Sequence, residues 1–150
     1  MITNMLHVGL TITDMERSLH FYHDLLGFHL EGTLTMEGKE TDILFGQKNV
    51  SATVSYVKGD KGIQTPPLEL ICFKDSPVKE NSTDLFTTSV SEICFATEDI
   101  HAEYQRLKEL GVDFLSEPQY FDFTKDGFGK SWAVYFRDPD GIILELIQSC

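Results

Sequence analysis

The amino-acid sequence predicts an α+β fold made of two βαβββ units in one chain, whose mixed sheets curve around a cup. The tetrapeptide Leu-Glu-Leu-Ile occurs twice, at 68–71 and at 144–147, and each copy ends one half of the chain. Each half also opens with an alternating strand and a capped helix, and the two helix caps lie 85 residues apart. The opening strands carry one side chain of a metal-ligand type each, His7 and Glu92. This duplicated pattern is the main indication of both fold and function.

The first half begins with a strand at 6–12, in which apolar residues alternate with His7 and other polar or small residues. A capping box at 13–16 then starts a helix, because its threonine hydroxyl and glutamate carboxylate can satisfy free amide groups. The helix has an apolar stripe at helical spacing and ends at Gly27, which suits a left-handed cap. Further strands are predicted at 28–35, 41–46, 51–57 and 68–73.

The second half repeats this opening with a strand at 90–97 and a helix that starts at the capping residue Asp99. The two tetrapeptides are only 76 residues apart, so the second half is shorter. A polar, turn-rich loop at 58–66 in the first half accounts for much of the difference. We therefore predict a single domain made of a module at 5–73, a linker at 74–89 and a module at 90–148.

Composition and charge disfavour several classes of function. The 150 residues carry 24 acidic and 12 basic side chains, and this net charge of −12 disfavours binding to nucleic acid or to an anionic membrane. No apolar run approaches the ~20 residues that span a bilayer, and no signal peptide is visible, so we expect a cytoplasmic location. The three cysteines have no paired spacing and suit a reducing compartment; Cys72 and Cys94 are predicted to be small core residues.

Motifs at both ends of the chain resemble one known family. The matching stretches are 7–12, 14–22 and 25–28 near the start and 135–146 near the end. They resemble the vicinal oxygen chelate superfamily, which includes glyoxalase I, methylmalonyl-CoA epimerase, extradiol dioxygenases, and bleomycin- and fosfomycin-resistance proteins. The resemblance covers nearly the whole chain and implies the two-module fold around a cup.

The resemblance also implies a metal site, to which the first and last strands of each half contribute one residue each. By position these ligands are His7, Glu69, Glu92 and Glu145. Relatives with the glyoxalase arrangement have a histidine where this chain has Glu92. One imidazole and three carboxylates suit a divalent ion such as Zn²⁺, Ni²⁺, Mn²⁺, Mg²⁺ or Fe²⁺. Without a cation, three carboxylates in one cup would repel each other, and at least one would bind a proton.

Such a site favours proton transfer next to a carbonyl group, as in a glyoxalase-like lyase or an isomerase. The metal would polarise the carbonyl and stabilise an enediolate. Glu145 and Glu92 are the candidate catalytic bases, because a carboxylate can leave the metal and accept a proton. A ring-cleaving dioxygenase is less favoured, because that chemistry uses Fe²⁺ on two histidines and one carboxylate.

A non-catalytic protein of the bleomycin-resistance type is the alternative function, because the same cup could capture a small molecule by apolar contacts. Such a protein needs an aromatic lining. The candidate lining residues are Phe73, Tyr120, Phe123 and Trp132.

The partners expected are a small-molecule substrate and a second copy of the chain. Two βαβββ units can close a cup within one chain or by exchange between chains, so a homodimer is predicted. A glutathione thioester or a coenzyme A ester would need basic residues near the cup. The candidates are Arg17, Arg106, Lys130 and Arg137.

Several other polar or flexible segments receive structural interpretations. The stretch 138–141 is predicted to form a hairpin turn, because proline fixes φ and glycine accepts a positive φ. The loop at 121–131 is either a lid or an ordinary surface loop. The remaining histidines are predicted to lie on the surface: His20, His23, His29 and His101.

Overall fold

Two mixed β-sheets organise the chain, one in each half, and the predicted α+β fold is confirmed. The halves form separate units, Met1–Glu80 and Asn81–Cys150. The computed structural model describes residues 6–59, 67–74, 78, 85–86 and 90–150. The predicted loop at 58–66 and the predicted linker at 74–89 therefore lie largely outside the described residues.

The elements of unit one are β1 (Val8–Ile12), α1 (Met15–Leu19), β2 (His29–Glu37), α2 (Lys39–Phe45), β3 (Ser51–Lys58) and β4 (Leu68–Phe73). Helix α1 continues into a π-helical turn at His20–Leu25. The sheet order is β1-β4-β3-β2, with β1 parallel to β4 and the other pairs antiparallel.

Unit two repeats the same pattern, with β5 parallel to β9 and β8 antiparallel to β9. The strand that would correspond to β2 is divided into β6 and β7, which pair with the two ends of β8. The elements are β5 (Ile93–Ala96), α3 (Ile100–Glu109), β6 (Asp113–Phe114), β7 (Gln119–Asp122), β8 (Lys130–Arg137) and β9 (Ile143–Ser149).

Matched caps and a matched apolar face position the opening strands. The carboxylates of Asp14 and Asp99 each accept a hydrogen bond, 3.0 Å long, from the backbone amide three residues later. This bond satisfies one free amide at the start of each helix. In β1 the alternate residues Leu10 and Ile12 are buried, whereas Thr11 on the other face is exposed. The predicted alternation is therefore present and directs the polar residues away from the core.

The predicted strand at 41–46 is wrong, because α2 occupies this segment. Its large apolar side chains do not form a buried face: Ile43 is 70% exposed and Leu44 is 72% exposed. The carboxylate of Asp42 instead accepts hydrogen bonds from the backbone amides of Asn49 and Val50, which fixes the turn into β3. A local hydrogen-bonding network therefore overrides the β-propensity of the segment.

Within the described residues, no helix is both long and apolar enough to cross a membrane.

Candidate functional site

Strand pairing brings the candidate ligands of each unit together. Both tetrapeptides form the closing strand of their unit, so Glu69 lies on β4 and Glu145 on β9. The parallel opening strand places Gly9 beside Glu69 and Cys94 beside Glu145. His7 and Glu92 precede these neighbours by two residues. Because side chains alternate along a strand, each of them is expected on the same face as its glutamate.

In unit one, both carboxylate oxygens of Glu69 have a partner. His7 Nε2 lies 3.1 Å from Oε2, and the Tyr56 hydroxyl donates a 2.6 Å hydrogen bond to Oε1. Tyr56 is the direct register partner of Glu69 on β3, and its ring contacts the His7 ring edge-to-face. Glu69 is only 9% exposed. This carboxylate is therefore fixed in position by two donors.

The hydrogen bond to Glu69 also raises the pKa of Tyr56, and its burial and the carboxylate charge act in the same direction. An anionic neighbour disfavours a phenolate, so the hydroxyl keeps its proton. Tyr56 is therefore a donor to Glu69 at neutral pH.

In unit two, Glu145 has a different environment. Tyr135 is its register partner on β8, as Tyr56 is for Glu69, but the position of Gly9 is taken by Cys94. Burial raises the pKa of Glu145, and the negative charge of Glu92 raises this pKa further. Hydrogen bonds from Cys94 and Tyr135 lower the pKa of Glu145, but the net shift is upward. The raised pKa makes Glu145 a stronger base than an ordinary glutamate.

The Cys94 thiol responds to the same surroundings. Partial desolvation of the thiol by its neighbours, a hydrogen bond to Glu145 and the charges of Glu145 and Glu92 raise its pKa to about 12. Burial and the same two carboxylates also raise the pKa of Tyr135. Cys94 was predicted to be a core residue, and this is wrong, because the residue is exposed on the polar face.

The structure thus pairs the four predicted ligands within their units, His7 with Glu69 and Glu92 near Glu145. Among the described residues, no three histidine, cysteine, aspartate or glutamate side chains form a group that could hold a metal. The site residues that sequence analysis missed are Tyr56, Tyr135 and Cys94. Matched tyrosines on the strand before each tetrapeptide were the available signal.

The other predicted positions are structural or exposed. The Asp138 carboxylate accepts hydrogen bonds from the amides of Asp140 and Ile142, as expected of a turn. His20 pairs with Asp24 at 2.8 Å, and His23 donates through Nδ1 to a backbone carbonyl. All four histidines that were predicted to lie on the surface are exposed: His20, His23, His29 and His101.

The four candidate basic residues all have partners close by in the chain. Arg17 donates to the hydroxyl of a threonine, and Arg106 forms an ion pair with a glutamate of its own helix. Lys130 lies 3.5 Å from an aspartate oxygen on β7, and Arg137 donates to a backbone carbonyl in the adjacent turn. These contacts engage each charge locally and give no support to a glutathione or coenzyme A substrate.

Each unit joins a parallel pair of first and last strands to a helix, and this duplicated architecture is that of the vicinal oxygen chelate class. The model of the Glyoxalase/Bleomycin resistance protein/Dioxygenase superfamily matches residues 4–146. The chain belongs to this superfamily.

Individual relatives agree with this assignment. The chain is 29% identical over 137 residues to the uncharacterised protein YurT of Bacillus subtilis, covering 91% of this chain and 92% of that protein. It is 24% identical over 147 residues to a probable lactoylglutathione lyase of a Synechocystis species, covering 97% and 95%. A glyoxalase family protein from Bacillus cereus has a similar fold, with a TM-score of 0.83 at 19% identity, covering 99% and 95%.

The environment of Cys94 predicts a slow thiol. At pH 8 a thiol with a pKa of about 12 is roughly 10⁻⁴ thiolate, whereas an ordinary cysteine is about one quarter thiolate. We expect iodoacetamide to label Cys94 much more slowly than Cys150, although both residues are exposed. Glu145→Gln should accelerate the labelling of Cys94, and Glu98→Gln, at an exposed position, should leave it unchanged.

Labelling is followed by mass spectrometry of the cysteine peptides. Equal rates for Cys94 and Cys150, or a rate at Cys94 that ignores Glu145→Gln, would contradict this assignment of the cluster.

Proposed function

We propose that this protein is a metal-dependent, glyoxalase-like lyase or isomerase that moves a proton next to a carbonyl group of a small-molecule substrate. The observation that carries this proposal is the pairing, in each unit, of a ligand-type residue with the glutamate of the repeated tetrapeptide. His7 lies 3.1 Å from Glu69, and the charge of Glu92 acts on Glu145. The likeness to a probable lactoylglutathione lyase supports the same class of reaction.

The residues present suit a divalent cation, and we propose His7, Glu69, Glu92 and Glu145 as its ligands. His7 Nε2 and Glu69 Oε2 lie 3.1 Å apart, so both atoms could hold one ion. Without a metal the same two groups contact each other directly, and a cation would replace that contact. An imidazole with three carboxylates suits Zn²⁺, Ni²⁺, Mn²⁺, Mg²⁺ or Fe²⁺.

Unit two supplies the group that moves the proton. The pKa of Glu145 is raised by burial and by the charge of Glu92, so its carboxylate has a higher proton affinity. Cys94 and Tyr135 are the register partners of Glu145 on the two adjacent strands. Glu145 is our first candidate for the base and Glu92 the second. A bound divalent cation would polarise the substrate carbonyl and stabilise the resulting enediolate.

Capture of a small apolar molecule without chemistry is the second candidate function, and exposed aromatic residues in unit two favour it. The rings of Phe121 and Phe123 stack with centroids 5.5 Å apart, and Tyr120 packs on Trp132 at 5.3 Å. Clustered exposed rings are typical of binding surfaces. Four aromatic side chains in this part of unit two are more than one-third exposed: Tyr120, Phe121, Phe123 and Phe128.

Metal analysis separates the two candidate functions. As the enzyme, the protein should retain a stoichiometric divalent metal, and Glu69→Gln should lose it, because a neutral amide is a much weaker ligand than a carboxylate. Glu98→Gln is the matched control and should keep the metal. Elemental analysis of the purified proteins gives the answer. A metal-free wild type that still binds apolar ligands would favour the binding protein.

Glu145→Gln should change stability in opposite directions with and without metal. In the metal-free protein, the raised pKa of Glu145 means that folding disfavours its ionised form. The loss of folding free energy caused by ionised Glu145 is absent below the ordinary pKa of glutamate. This loss grows as the pH rises through the raised pKa of Glu145 in the folded protein. In EDTA, Glu145→Gln should therefore raise the melting temperature at pH 7.5 but not at pH 4. With added metal, the melting temperature of the same variant should rise less than that of the wild type, because the variant has lost a proposed ligand.

Thermal unfolding at both pH values, with and without added metal, measures these effects. Glu69→Gln is the comparison variant and should lower the melting temperature in EDTA, because it weakens the contacts of the carboxylate with His7 and Tyr56. A lower melting temperature for Glu145→Gln in EDTA at pH 7.5 would contradict the assignment of Glu145 as the base.

We also propose that the protein is a cytoplasmic homodimer. The nine residues of β2 form an exposed sheet edge, and such edges favour pairing with a second chain. Light scattering at micromolar concentration should give the mass of two chains. A mass of one chain at that concentration would remove the dimer and leave the proposed chemistry intact.

A further inference from the structure

The two oxygens of Glu69 are held by different groups, and this difference has a consequence for metal binding. Oε2 faces His7 Nε2 at 3.1 Å, whereas Oε1 accepts the 2.6 Å hydrogen bond of Tyr56. A hydrogen bond this short to a carboxylate belongs to the strong, charge-assisted class. Only one oxygen of Glu69 is therefore directed toward the proposed metal ligand His7.

We propose that Tyr56 is a positioning residue that keeps Glu69 a one-oxygen ligand and so leaves a coordination position for substrate. This inference rests on the proposed function, because it assigns a role toward the proposed cation. Carboxylates bind cations through one oxygen or through both. When a hydroxyl occupies one oxygen, chelation through both requires that hydrogen bond to be broken.

The backbone makes this arrangement rigid. Tyr56 and Glu69 are register partners on adjacent antiparallel strands, so their relative position is set by the β3–β4 ladder. Glu69 is only 9% exposed, so water has little access to replace the Tyr56 hydroxyl at Oε1. The edge-to-face contact between the Tyr56 and His7 rings, with centroids 5.9 Å apart, further restrains the hydroxyl.

The equivalent tyrosine of unit two is not a suitable control, because Tyr135 is the register partner of Glu145, which is itself a proposed ligand. A tyrosine outside both strand pairs is needed instead. Tyr104 on α3 meets this requirement, because its hydroxyl accepts a hydrogen bond from Lys108 of the same helix.

The number of water molecules on bound Mn²⁺ tests the proposal. In Tyr56→Phe, Glu69 is free to bind through both oxygens and to displace one water molecule, so the water-proton relaxation rate per bound Mn²⁺ should fall. Tyr104→Phe is the control, because it removes a tyrosine hydroxyl that lies outside the proposed site. Its relaxation rate should equal that of the wild type. Mn²⁺ affinity is measured alongside, so that rates are compared at full occupancy.

Each outcome has one interpretation. A lower relaxation rate in Tyr56→Phe alone supports the proposal, and a purely structural role of Tyr56 would not produce it. Equal rates in the wild type and Tyr56→Phe, or the same fall in both variants, would overturn it while the proposed metal site stands. A wild type that binds no Mn²⁺, Zn²⁺ or Ni²⁺ would overturn the proposed function, and this inference with it. If Tyr56→Phe does not fold, Tyr56→Leu, which also has no donor, is measured in the same way.

Discussion

The parallel pairing of the first and last strands of each unit is the constraint on which the candidate site depends. This pairing joins residues distant in sequence, because Gly9 lies beside Glu69 and Cys94 beside Glu145. The alternation of side chains then places the residue two positions earlier on the same face as the glutamate. A shift of one residue would turn each glutamate toward the apolar core, where Leu70 and Leu144 are fully buried. The hydrophobic pattern therefore protects the polar site.

Duplication gave the two units the same framework, but their polar residues differ. In unit one a histidine and a tyrosine hold both oxygens of a nearly buried glutamate. In unit two a second carboxylate and a thiol surround the equivalent glutamate, and its pKa is raised. A restrained carboxylate suits a ligand, whereas one with a raised proton affinity suits proton transfer. The proposed function divides these tasks between the units.

Much of the fold and part of the site could be predicted from the sequence. Alternation and capping located β1, α1 and α3, and the repeated tetrapeptide identified Glu69 and Glu145. The helix α2 escaped prediction, because Asp42 stabilises it through amides that follow the helix. Tyr56 and Tyr135 escaped because cross-strand register depends on loops and bulges, such as the irregularity between Leu30 and Gly32, which sequence alone does not reveal. Cys94 was misassigned because small apolar residues also occur on polar faces.

The division of one strand into β6 and β7 has a consequence for the behaviour of the protein at high concentration. A divided edge offers an incoming chain only short runs of free amides and carbonyls, whereas β2 spans nine residues with one irregularity, between Leu30 and Gly32. Long flat edges are the usual starting points of fibril growth. The β2 edge therefore carries a greater risk of aggregation than the divided edge of unit two. The negative charges of Glu31 and Glu37 on β2 oppose pairing with another chain.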